Sequence, residues 1–188
     1  MDVWCVLAPY APRTTLYGKI MTKKTNKSDS TKSFEPRIVV FACNWCSYPA
    51  ADAAGINRLQ YPANVRIIRT MCMGRVDPGF VLKALAMGAD GVLVSGCHFE
   101  DCHYSFGAKK AAEQYQKLEK IVRMLGFEDE RIRQEFISAA EFPKFAKVVR
   151  EMVEQVKNLG PSPLEGGVLY KEQNLESELI EEVAPAES

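Results

Sequence analysis

Gly91-Val92-Leu93-Val94-Ser95-Gly96-Cys97-His98-Phe99-Glu100-Asp101-Cys102-His103-Tyr104 is a short apolar run that breaks at once into thiols, imidazoles and carboxylates. Its first half has the composition of a buried strand. The polar half is then the loop leaving the strand, the kind of place where rigid scaffolds carry their sites. Two earlier runs end the same way: Ile38-Val39-Val40-Phe41-Ala42 leads into Cys43 and Cys46, and Val65-Arg66-Ile67-Ile68-Arg69-Thr70-Met71 leads into Cys72. Five of the six cysteines therefore follow strand candidates.

Outward from these runs, strand and helix patterns alternate. Strands are expected over residues 37–42, 65–70 and 91–95, with a less regular one at Glu135-Phe136-Ile137-Ser138-Ala139. A helix is expected from Ala50 to Arg58. Another opens at Asp77-Pro78, a capping residue followed by proline in the first turn, and stops at Gly88. A long helix starts at Gly107, carries Ala111, Tyr115, Leu118, Val122 and Leu125 at helical spacing, and ends at Gly126. The last runs from Pro143 to Leu159. Alternation of this kind predicts a doubly wound, flavodoxin-like α/β fold: a mainly parallel sheet of about four strands with helices on both faces. Crossover connections bring the strand C-termini to one edge, where ligands bind near the point at which strand order reverses. Cys43, Cys46, Cys72, Cys97 and Cys102 all fall at that edge.

Domain organisation follows from composition. Residues 1–33, polar and rich in Lys, Ser and Thr, read as a disordered or extended segment in which Met21 resembles a natural start and Cys5 lies outside the fold. Residues 34–160 form the cysteine-rich α/β domain, and 161–188 an acidic tail. The 188 residues carry 24 basic and 24 acidic side chains, without the basic excess that a nucleic-acid binder uses on phosphates. No run reaches the roughly 20 apolar residues that span a bilayer. Nor does the N-terminus have a signal peptide's basic region. The default location is the cytoplasm, where disulfides are not expected and metal or redox roles for thiols are.

Thiolates bind metals, and iron–sulfur clusters are held mainly by four of them. Cys43-x2-Cys46 places two sulfurs within reach of one iron, and Cys97-x4-Cys102 has the wider spacing met in 2Fe–2S proteins. Cys72 is the fifth candidate, weakest by spacing but kept by topology, so the ligands are four of the five. Three other readings stand beside this one: cysteines buried as small apolar residues, a structural zinc site, and a dithiol–disulfide couple at Cys43 and Cys46. His98 and His103, the only histidines, are expected beside the ligands, donating to cluster sulfur or tuning its potential. Trp45 and Tyr104 flank the thiols and would shield them from water. Glu100 and Asp101 read as solvated or helix-capping, and Gly74, Gly96 and Gly107 as turn residues.

Three blocks carry a family resemblance: Cys43-Asn44-Trp45-Cys46, Met71-Cys72-Met73-Gly74-Arg75-Val76-Asp77-Pro78, and the strand from Gly91 into Cys97-His98-x2-Asp101-Cys102-His103-Tyr104. In this order they resemble the delta subunit of the methyl-viologen-reducing hydrogenase, over roughly residues 36–160. Phe99-Glu100 and Ala108 depart from the pattern. The resemblance implies a non-catalytic electron-transfer subunit with a 2Fe–2S cluster. It implies as partners a hydrogenase or formate dehydrogenase and a heterodisulfide reductase A-like flavoprotein, whose FAD bifurcates electrons. Similar subunits belong to other anaerobic assemblies, including the benzoyl-CoA reductase complex.

Overall fold

The structure, a computed structural model, describes residues 34–164. The expectations for residues 1–33, Cys5 and Met21 among them, and for most of the acidic tail lie outside the described residues. Four strands, β1 (Ile38–Cys43), β2 (Val65–Thr70), β3 (Gly91–Gly96) and β4 (Ile132–Phe136), form one sheet in the order β2-β1-β3-β4. Every neighbouring pair is parallel. The doubly wound α/β expectation holds, and the order reverses between β1 and β3.

The central strands are buried along their whole length. Continuous apolar runs such as Ile-Val-Val-Phe suit a strand covered on both faces. Side chains alternate across the sheet with period two. Val39, Phe41, Val92 and Val94 meet α2 (Pro78–Ala86) and α3 (Gly107–Met124) on one face. Ile38, Val40, Ala42 and Leu93 meet α1 (Ser47–Ile56) and α4 (Phe142–Leu159) on the other. The edge strands carry the charge, Arg66 and Arg69 on β2 and Arg133 and Glu135 on β4, which discourages pairing with another sheet.

Local signals act as expected at most helix ends. The Asp77 carboxylate accepts the Gly79 N–H at 2.8 Å and caps α2 above Pro78. Gly88, Gly126 and Gly160 leave their helices with φ of +92°, +81° and +85°, values glycine reaches without a Cβ clash. Two elements shift by three residues. Helix α1 begins at Ser47 rather than Ala50, since Pro49 still lies in its first turn, where a missing N–H costs nothing. β4 lies three residues earlier than its apolar residues suggested: Arg133 and Glu135 pair with each other at 2.7 Å on this edge strand. Phe136 and Ile137 mark its end, the Ile137 N–H donating to the Gly96 carbonyl at 2.6 Å.

At the N-terminal edge of the sheet lies a buried polar knot. The Asp90 carboxylate accepts the backbone N–H groups of Arg37 (2.8 Å) and Ser162 (3.0 Å). The Arg131 guanidinium, 1% exposed, donates to the carbonyls of Asp90, Gly160 and Pro161 and pairs with Glu128. The first and last parts of the fold are thus fastened together at the edge opposite the thiols.

Candidate functional site

Cys43 ends β1, Cys46 stands at the N-cap of α1, Cys72 follows β2, and Cys97 follows β3. Cys102 lies in the loop before α3. All five are buried, none more than 9% exposed. They gather at the C-terminal edge, over the reversal between β1 and β3.

The sulfur contacts cross the sequence motifs. Cys46 and Cys97 are joined sulfur to sulfur as a disulfide with Cα atoms 5.3 Å apart, and the Cys43 Sγ lies 3.7 Å from that of Cys97. Cys72 interacts with both Cys43 and Cys102. One expectation is corrected here: the thiols are expected to stay reduced, and Cys46 and Cys97 form a disulfide. The physical reason is that β1 and β3 are hydrogen-bonded neighbours, which puts Cys97 on the Cys43–Cys46 turn. The loop after Cys97 carries Cys102 off to the start of α3, against the turn that follows Cys72. Among the described residues, no group of three or more His, Cys, Asp and Glu side chains is arranged around a single metal ion.

Backbone amides face Cys72 and Cys102. The Gly74 N–H donates to Cys72 Sγ at 3.4 Å and the Ala108 N–H to Cys102 Sγ at 3.3 Å. Burial nevertheless pushes the Cys72 thiol up, opposed by the Gly74 N–H and reinforced by the charges of Cys43 and Cys102. Unaided, this pocket favours the neutral thiol. A bound cation or cluster reverses that preference, since metals take thiolates. Five buried sulfurs at one sheet edge, with N–H donors aimed at two of them, fit an iron–sulfur donor set.

The three glycines serve close approach, and Gly74 also lies in the turn Met73–Arg75 as expected. None of Gly74, Gly96 and Gly107 has positive φ. A Cβ on Gly107 would collide with Cys72 Sγ and lie 3.2 Å from Cys102 Sγ. One on Gly74 would meet the Gly107 carbonyl at 2.5 Å, and one on Gly96 the Met73 Sδ at 2.5 Å. The turn Met73–Arg75 and α3 therefore pack backbone to backbone.

Both imidazoles are engaged with other groups. His98 Nε2 lies 2.7 Å from Glu141 Oε2. The Ser138 N–H first, and His98 second, hold the Glu141 carboxyl at about 2. His103 stacks on Trp45 with ring centroids 3.8 Å apart, and the Trp45 indole N–H donates to the Tyr104 hydroxyl at 3.3 Å. Trp45 and Tyr104 thus tie the Cys43–Cys46 turn to the Cys102 loop. Glu100 and Asp101 are exposed, and α3 has no side-chain cap, so the solvated reading of these carboxylates holds. Sequence reasoning missed Ser47, whose hydroxyl donates to the Ser95 carbonyl at 2.7 Å and accepts the Cys43 N–H at 3.0 Å. It also missed Glu141. Neither has a local pattern that would mark it.

Known proteins resemble this chain over the described fold. It is 48% identical over 135 residues to an F420-non-reducing hydrogenase iron-sulfur protein of Archaeoglobus profundus, covering 72% of this chain and 98% of that one. It is 47% identical over 133 residues to the F420-non-reducing hydrogenase vhc iron-sulfur protein of Methanococcus voltae, covering 71% and 92%. A third relative, 44% identical over 138 residues, belongs to the ferredoxin/F420H2-dependent CoB-CoM heterodisulfide reductase of Methanosarcina acetivorans; the match spans 73% of this chain but 17% of that longer protein. A family model for the methyl-viologen-reducing hydrogenase delta subunit matches residues 38–160. A match across nearly the whole described fold, with its three thiol-bearing strand ends at one edge, places the chain in the methyl-viologen-reducing hydrogenase delta subunit family.

Proposed function

We propose that this chain is a non-catalytic component of a redox complex that holds a 2Fe–2S cluster and relays electrons. The donor is a hydrogenase or formate dehydrogenase module and the acceptor a heterodisulfide reductase A-like flavoprotein. The observation that carries the reading is the convergence of five buried thiols from three strand ends on one edge. The names of the relatives, iron-sulfur proteins of hydrogenases and one component of a heterodisulfide reductase, support both the cofactor and the partners.

Four of the five thiols would be ligands. Cys72 and Cys102 make one pair, and two of Cys43, Cys46 and Cys97, with the Cys46–Cys97 disulfide reduced, make the other. When bound, such a cluster supplies one-electron transfer. The chain's own residues do the rest. Burial keeps water from the sulfurs, and the Gly74 and Ala108 N–H groups stabilise negative charge on two of them, which raises the potential. Trp45, stacked on His103, covers the edge.

Anaerobic purification followed by iron and sulfide analysis, visible absorption and EPR tests the reading. About two irons and two sulfides per chain are expected, with a signal on one-electron reduction. Stoichiometric zinc without sulfide would refute it. The Cys46–Cys97 disulfide favours a second reading, thiol–disulfide exchange, in which an external dithiol is oxidised as this disulfide takes up two electrons and two protons. Cys72→Ser separates the two: it removes the cluster but leaves the exchange intact.

A further inference from the structure

Beside the thiols the surface is hollowed into a cavity of about 430 Å³. Cys72 forms part of its wall, Met71, Tyr104 and Phe106 supply its apolar lining, and Arg75 and Lys110 its charge. Met71 is 55% and Phe106 67% exposed, and Trp45 and Phe99 at the same edge are also open to water. Large apolar side chains left exposed together mark a contact surface. Their spread beyond the cavity favours a protein over a small molecule, which would cover the cavity alone. Among the described residues no acidic side chain lines the hollow, although the whole chain is neutral. Two cations over an apolar wall are therefore a local asymmetry. Among the described residues neither of them forms a salt bridge.

We propose that this cavity docks an acidic segment of a partner protein. One aromatic or branched side chain lies on Met71, Tyr104 and Phe106, and flanking carboxylates meet Arg75 and Lys110. The purpose of the contact rests on the electron-relay reading, because Cys72 in the wall sets the bound segment against the thiols. Recognition itself requires only the fold. Opposite charge steers the encounter and excludes basic segments, while the buried side chain anchors it.

The test is fluorescence anisotropy of the full chain with a fluorescein-labelled Glu-Asp-Phe-Glu-Asp peptide, on samples whose iron and sulfide are counted. Saturable binding that weakens with salt is expected. The double variant R75E/K110E should raise Kd by at least about tenfold, as should replacing the peptide's carboxylates with lysines or its phenylalanine with serine. K120E, on the exposed face of α3, should leave Kd unchanged. All three charged positions are exposed, so folding is preserved and is checked by thermal melting. Equal binding of the lysine peptide, indifference to R75E/K110E, or saturable occupation by FMN with no peptide binding overturns the proposal. Charge-dependent peptide binding by a chain that never holds iron and sulfide overturns the relay alone. A loaded chain that ignores the peptide overturns the docking alone.

Discussion

Gly107 shows how much a single hydrogen atom in place of a methyl group decides at the residue scale. Its missing Cβ is the space in which Cys72 Sγ lies, with Cys102 Sγ alongside. Gly107→Ala is expected to lower the iron and sulfide content of purified protein by more than about half and to cost about 1–3 kcal/mol by overpacking, read from urea midpoints. Glu141 acts through charge. The Ser138 N–H and His98 hold its carboxyl at about 2, below the usual 4.5, with Lys144 contributing. A carboxyl depressed in the folded state adds stability above its unfolded pKa and loses it as pH falls through the folded one. Urea midpoints of the parent and Glu141→Gln should therefore differ at pH 6 and converge as pH falls from about 4.5 toward 2. The difference is modest because the pair is partly exposed. A constant gap across that range would contradict the assignment.

Among the elements, α1 shows why small residues matter as much as large ones. Ala50 and Ala54 are fully buried and Ala51 nearly so, which lets α1 lie close to the sheet and to α4. Ala54→Leu has no room to fill, and a loss of about 1–3 kcal/mol is expected from urea unfolding. Helix α4 presents Phe145, Val149, Met152 and Val156 to the same layer, and its apolar spacing was plain in the sequence. β4 was not. Arg133 pairs with Glu135 and Glu151 on the exposed side of this strand, so the residues that form the strand are those that hide it from an apolar search. Polar edge strands are recognised by their neighbours, here β3, more than by their own composition.

On the scale of the whole molecule the two ends of the sheet have separate tasks. The C-terminal edge gathers the thiols, and the N-terminal edge fastens residues 37 and 160–162 through Asp90 and Arg131. Arg131→Met would leave three carbonyls without their donor. A loss of about 3 kcal/mol is expected, on the order of a broken buried polar network. Folded Arg131→Met protein should keep the parent's iron, sulfide and EPR signal, because the knot lies a strand's length from the cysteines. A changed spectrum would show that the two edges are coupled.

Alternating runs of Ile, Val and Leu with amphipathic stretches settled the α/β class, the parallel strands and the common edge for Cys43, Cys46, Cys72, Cys97 and Cys102. Those properties follow from local periodicity, present in any short window of the chain, and from the strand–helix–strand crossovers that the alternation requires. Only the tertiary structure decided that Cys97 meets Cys46 and Cys43 while Cys102 meets Cys72. It also turned His98 to Glu141 and His103 to Trp45, and gave Gly74 and Gly107 to a backbone contact. Each of these depends on distances between segments far apart in the chain, which strand order and helix packing set and no local pattern encodes.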